Sequence, residues 1–124
     1  MDNYEGLCVL FVNDRFAKHD RLLRSQIIAE ECVEKAMSEK FFPLVYKNLD
    51  SNSIIEKVTD VDNNPEYFAY GKFKFVFITH GGKCTETGKN VIFGSDSTPI
   101  AIQLIIDLLD DVNTTYLQQK VNHL

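Results

Sequence analysis

Cysteine is scarce in this sequence: Cys8, Cys32 and Cys84 are the three, an odd count whose spacing fits neither a disulfide framework nor a metal motif. Cys8 lies in an apolar run and Cys32 in a helix-like segment, so both read as small buried hydrophobes; Cys84 falls in a polar loop. There is no basic cluster. Lys plus Arg number 13 against 18 for Asp plus Glu, a net charge of −5, and an acidic chain without a basic stripe argues against a nucleic-acid partner. Long apolar runs are missing as well. Pro99 to Leu109 is the longest, but it contains Gln103 and Asp107 and is too short to cross a bilayer. The start, Met1-Asp2-Asn3-Tyr4-Glu5, has no basic n-region, so neither secretion nor a membrane is expected and the default compartment is the cytoplasm. No repeat or low-complexity tract is visible. What remains is 124 residues with 44% apolar and 25% charged side chains, the size and composition of one globular domain.

Short apolar runs alternate with helical patterns, which predicts a parallel sheet covered by helices. Leu7 to Val12 is apolar throughout, as suits a strand buried on both faces. From Asp20 or Ser25 to about Lys40 a helix is expected, with Ile28, Cys32, Val33, Ala36 and Met37 forming its apolar stripe. Phe42 to Tyr46 is a shorter strand, in which Pro43 fits only a start or an edge. Asp50 or Ser53 caps a second helix that fades by Asp60. Phe73 to Thr79 is the strongest strand signal and runs into His80-Gly81-Gly82. Val91-Ile92-Phe93 with Gly94-Ser95-Asp96 reads as a short strand and turn. Thr98-Pro99 is expected to open a last helix that ends near Asp110-Asp111. Right-handed crossovers then predict strand order 2-1-3, with the first two helices on opposite faces and no recognisable fourth long strand.

In an open parallel sheet, sites form at the carboxyl ends of strands, where His80-Gly81-Gly82 stands. A histidine there can act as a general base or acid, and adjacent glycines let an amide approach an oxyanion. A strand-ending turn with a surface histidine is the plain alternative. The glycines around Lys83 do not have P-loop spacing, so a phosphate-cradling module is disfavoured.

Several segments together resemble the large-subunit portion of the caspases, the aspartate-directed cysteine proteases. Val12-Asn13-Asp14-Arg15-Phe16 is similar to the family's first strand followed by Asn-x-x-Phe. Val45 to Asp50 resembles its second strand and helix start, and Phe75 to Gly81 the strand that delivers the catalytic His-Gly. Val91 to Asp96 with Pro99-Ile100 resembles the hairpin and helix start that follow. The resemblance implies a three-layer α/β/α caspase-like fold over one shortened domain, residues 1–124. It makes His80 the catalytic histidine and Gly81 the source of an oxyanion-hole amide. The family's nucleophile, in Gln-Ala-Cys-x-Gly on a fourth strand, has no counterpart in these residues. The sequence stops at Leu124, about where that strand is expected to begin. The substrate-gripping Arg corresponds to Arg21 or Arg24, but the family's Gly-x-Asp run is absent after both.

The resemblance therefore implies a pseudoenzyme without cofactor, with His80 and Gly81 as relics. Its expected role is to bind a caspase or a caspase partner and so regulate, most readily inhibit, apoptosis; a compact decoy of this kind would suit a virus. A sheet ending at its third strand would leave an open edge at Phe73, Phe75 and Phe77. The last helix is apolar nearly all round, with Leu104 and Ile106 at positions usually polar in the family. These five residues are the expected interface, to a homodimer mate or a caspase-like partner. The alternative cover for both features is the tail from Val112 to Leu124. An enzyme using Cys84 with His80, or completed in trans by another chain's Cys, is the competing reading. A metal site from His80, Cys84 and His123 fits no known arrangement, and none is expected.

Overall fold

A computed structural model describes residues 4–67 and 70–109, together with the backbone of a strand at 116–122. The strands are β1 (Gly6–Val12), β2 (Phe41–Lys47), β3 (Lys72–Lys83), β4 (Asn90–Phe93), β5 (Pro99–Ala101) and β6 (Tyr116–Asn122). Among the described residues three helices, α1 (Ser25–Ser38), α2 (Ser51–Asn63) and α3 (Ile102–Leu109), lie between them, with a 3-10 turn at Pro65–Tyr67.

The sheet order is β2-β1-β3-β4-β5, and β6 pairs with β3. β1 is parallel to both β2 and β3, with Leu10 opposite Val45 and Val76. The expected 2-1-3 order is therefore the core of the sheet. Alternation along the strands divides the interior in two. Leu7, Val9, Phe11, Phe73, Phe75 and Phe77 point to one side, against Ile54, Val58 and Val61 of α2 and Ile105 and Leu109 of α3. Cys8, Leu10, Val12, Val76 and Ile78 point to the other, against Ala29 and Ala36 of α1. Every residue of β1 is buried, which explains its unbroken apolar run. Phe11 and Phe77 stack with centroids 4.9 Å apart and planes within 5°.

Three expectations are corrected. The edge of β3 is not open: β6 runs parallel to it from Lys74↔Tyr116 to His80↔Asn122, so the tail supplies the fourth strand. Its polar Gln118-Gln119-Lys120 centre hides it from a hydrophobicity reading, because main-chain hydrogen bonds define a strand whatever its side chains. Phe73, Phe75 and Phe77 consequently form no exposed surface; they are 4%, 0% and 1% exposed and belong to the core. Pro99 does not open a helix. Pro99–Ala101 pairs antiparallel with β4, Ile100 opposite Ile92, and the helix starts at Ile102. Proline is tolerated here because β5 ends the β2-β1-β3-β4-β5 series.

The remaining helices follow their sequence signals. The Asp50 carboxylate accepts the Ser53 amide at 2.8 Å and caps α2, which runs three residues past Asp60. On α1, Ile28, Cys32 and Val33 pack half-buried as expected, but Met37 is 51% exposed and leaves the stripe.

Candidate active site

The carboxyl ends of β1, β2 and β3 are tied by side chains that replace missing ladder bonds. Asn13, 1% exposed, is the knot. Its Oδ1 accepts the Leu49 amide at 3.1 Å, and its Nδ2 donates to Thr79 Oγ1 and to the Phe93 carbonyl, both at 3.4 Å. The Thr79 hydroxyl donates to the same carbonyl at 2.6 Å. Asn48, at φ 51°, accepts the Asp14 and Arg15 amides on its Oδ1, and Asn is among the few residues that hold this left-handed conformation readily. Asp96 reaches back to the start of α2, accepting Ser51 N and Ser51 Oγ, each at 3.2 Å. Burial alone would raise the Asp96 carboxyl, but the hydrogen bonds from Thr98 and Ser51 outweigh it and hold it below its ordinary value.

His80 sits in this frame and is 6% exposed. β3 does not turn at His80-Gly81-Gly82: it continues to Lys83, and Gly81, Gly82 and Lys83 pair antiparallel with Ile92, Val91 and Asn90. The strand-ending turn is therefore replaced by a crossing from the parallel to the antiparallel part of the sheet. The His80 ring meets Phe16 edge-on, centroids 4.7 Å apart, and stacks on His19 at 5.2 Å and 29°. His80 Nε2 lies 2.6 Å from the Asp20 main-chain carbonyl. A carbonyl has no proton to give, so Nε2 carries the hydrogen and donates it. That leaves Nδ1 as the unprotonated nitrogen of the neutral ring. Nδ1 bonds to no described residue. A tautomer fixed at Nε2, with the lone pair left on Nδ1, is an arrangement a general base can use.

The other candidates are not brought to it. Arg21 pairs with Asp14 at 3.3 Å, and Arg24 stands exposed at the head of α1. Because β3 stays extended, Lys83 lies about 10 Å beyond His80 at the usual rise per strand residue, and Cys84 follows the end of the strand. The side-chain bond of His80 goes to the Asp20 carbonyl and not to Cys84. Cys84 is instead held in its own turn, where hydrogen bonds from Thr87 keep its thiol below the ordinary value. Cys8 is walled in, and burial pushes its thiol up to about 11. Among the described residues no group of three or more His, Cys, Asp or Glu is arranged for a metal; His123 lies outside them. A cavity of about 340 Å³ lies elsewhere, between α1 and the sheet, lined by Cys8, Cys32, Lys35 and Lys74 among others.

Phe16 was part of a recognisable motif, but His19, Asp20 and Ser97 were not legible. Asp20 acts through its main chain, which has no residue signature. His19 becomes relevant only because Asn13 bonds to the Ile78 carbonyl and brings the following loop beside His80.

The caspase-domain family model matches residues 5–124. No curated protein matches the chain. Among solved structures, the crystal structure of the Drosophila initiator caspase Dronc superposes with a TM-score of 0.78 at 18% identity, over 92% of this chain and 47% of that one. The present chain thus spans about half the length of that caspase, and at this identity the likeness is one of fold. The caspase-domain match over residues 5–124, on a sheet of matching fold, assigns the chain to the caspase-domain family.

Proposed function

We propose that this chain is a catalytically inactive caspase homologue that regulates apoptosis, in the inhibitory sense, by binding a caspase or a caspase-associated protein. One observation carries the reading: His80 is held by the Asp20 carbonyl, and its side-chain bond goes to none of the three thiols. Cys8 is buried in β1, Cys32 belongs to α1, and Cys84 lies past the end of β3. A chain whose own thiols do not engage His80 can still act by occupying a surface. Leu104, 43% exposed on α3, and the half-buried Ile106 are the proposed contact to a caspase or to a second copy of this chain. The test is capture of effector caspases by the purified chain, with an Asp-peptide cleavage assay for the effect. Binding that lowers caspase turnover and is lost in Leu104→Lys supports the reading; no binding and unchanged turnover reject it.

The lone pair that the Nε2–Asp20 bond leaves on Nδ1 of His80 favours a second reading, a half-site completed in trans by another chain's cysteine. Here the purified chain is mixed with a caspase whose own histidine is disabled. Turnover that returns with the native chain and not with His80→Ala would establish it.

A further inference from the structure

We propose that Ser97 and His19 are positioning residues for His80: they latch the loop that carries the Asp20 carbonyl and so set which ring nitrogen of His80 is free. This deepens the reading of His80 as a proton acceptor and depends on no activity of the chain.

The loop from Asp14 to Arg24 contains no helix or strand; after Asp20 it is closed on itself, Leu22 N–H donating to the Asp14 carbonyl at 2.9 Å and Arg21 pairing with Asp14, and before Asp20 it is held from outside. The segment just before Asp20 is held by the turn between β4 and β5. Ala17 N–H donates to the Ser95 carbonyl at 2.9 Å, and Lys18 N–H to Ser97 Oγ at 2.8 Å. His19 Nδ1 is 2.8 Å from the same Oγ. Oγ can serve both partners, because it accepts from the Lys18 amide while its own hydrogen turns toward an unprotonated Nδ1. The His19 ring is then clamped between Phe93, centroids 4.3 Å apart, and His80, 5.2 Å away.

Two features make this a latch. Ser97 holds φ 60°, a left-handed conformation unfavourable for a residue with a Cβ, so the turn is kept by its surroundings. Moreover, β4 begins pairing with β3 at Gly81, the residue after His80. The turn that grips the loop and the strand that carries the histidine therefore belong to one ladder. Asp20 is placed relative to His80 by short, stiff connections, and a thiol delivered from another chain would meet a base already oriented.

The experiment uses the whole chain with ¹⁵N-labelled histidine. Long-range ¹H–¹⁵N spectra, recorded above the imidazole titration range, read the tautomer of each ring, and amide exchange reads the loop. In the native chain His80 is expected as a single tautomer with hydrogen on Nε2. Ser97→Gly keeps the left-handed turn and removes the hydroxyl. A second His80 population with hydrogen on Nδ1 is expected to appear, and the Lys18 amide to exchange about five to ten times faster. His19→Phe keeps an aromatic ring between Phe93 and His80 but offers no Nδ1, and the same second population is expected. The sheet amide spectrum confirms that each variant is folded. A single, unchanged His80 tautomer in both variants, or a mixture already in the native chain, overturns the proposal. Caspase binding can fail with the tautomer result intact, and the reverse, so the two readings are tested separately.

Discussion

Gly94 is the point at which a single methyl group should loosen the whole carboxyl end of the sheet. It is buried where the β4–β5 turn passes the start of α2. A Cβ added there would lie 2.4 Å from Ser51 N, 2.7 Å from Asp96 Oδ1 and 2.9 Å from Asp50 C. Two of these atoms are backbone at a capped helix start, so the turn must move by about 1 Å to reach ordinary contact distance. Overpacking of this kind costs about 1–3 kcal/mol. The movement also lengthens bonds from Ser51 N, Ser51 Oγ and Thr98 N to Asp96, each worth roughly 0.5–1.5 kcal/mol and only partly lost. Gly94→Ala should therefore destabilise by about 2–4 kcal/mol, a large share of the ~5–15 kcal/mol that holds a domain of this size. In urea unfolding followed by circular dichroism, the midpoint should fall by roughly 1–2 M with the slope unchanged. Gly82→Ala is the internal comparison: nothing lies within 4 Å of its added Cβ, and it should stay within about 0.5 kcal/mol of the native chain. Equal midpoints for the two variants would refute the steric argument and, with it, the tight junction between the turn and α2.

Asp50→Ala removes the acceptor for the Ser53 amide and should lower stability by about 0.5–2 kcal/mol, read from a thermal melt at 222 nm. The Asp96 carboxyl has a folded pKa below its unfolded value, so its contribution is present above about pH 4 and is lost as the pH falls through the folded value. Asp96→Asn should accordingly flatten the stability profile below about pH 4, and an unchanged acid limb in urea titrations would contradict this. Iodoacetamide at neutral pH should label Cys84 first, by peptide mass. Cys8 should stay unlabelled until the chain is denatured, since its thiol is both buried and pushed up to about 11.

Local chemistry in the sequence was enough to determine the central strands and the face assignments. An all-apolar β1 has to be buried on both sides, and Phe73, Phe75 and Phe77 have to share one face, while the choice between Asp50 and Ser53 as cap of α2 fell to Asp50 only in the structure. His80 as a site candidate late in the strongest strand, beside the motifs of a known family, was legible too, although β3 runs on to Lys83. Three things were decided only in three dimensions. β6 exists because β3 offers an edge of main-chain donors and acceptors, and that demand does not depend on the side chains that meet it. Pro99 joins a strand because β4 lies alongside it, overriding its preference for the first turn of a helix. The surroundings of His80 come from a main-chain carbonyl, a second histidine and a serine held at positive φ, contributed by segments up to 78 residues apart. Hydrogen bonds of that range have no local pattern to read, because they form only after the sheet has brought its strand ends together.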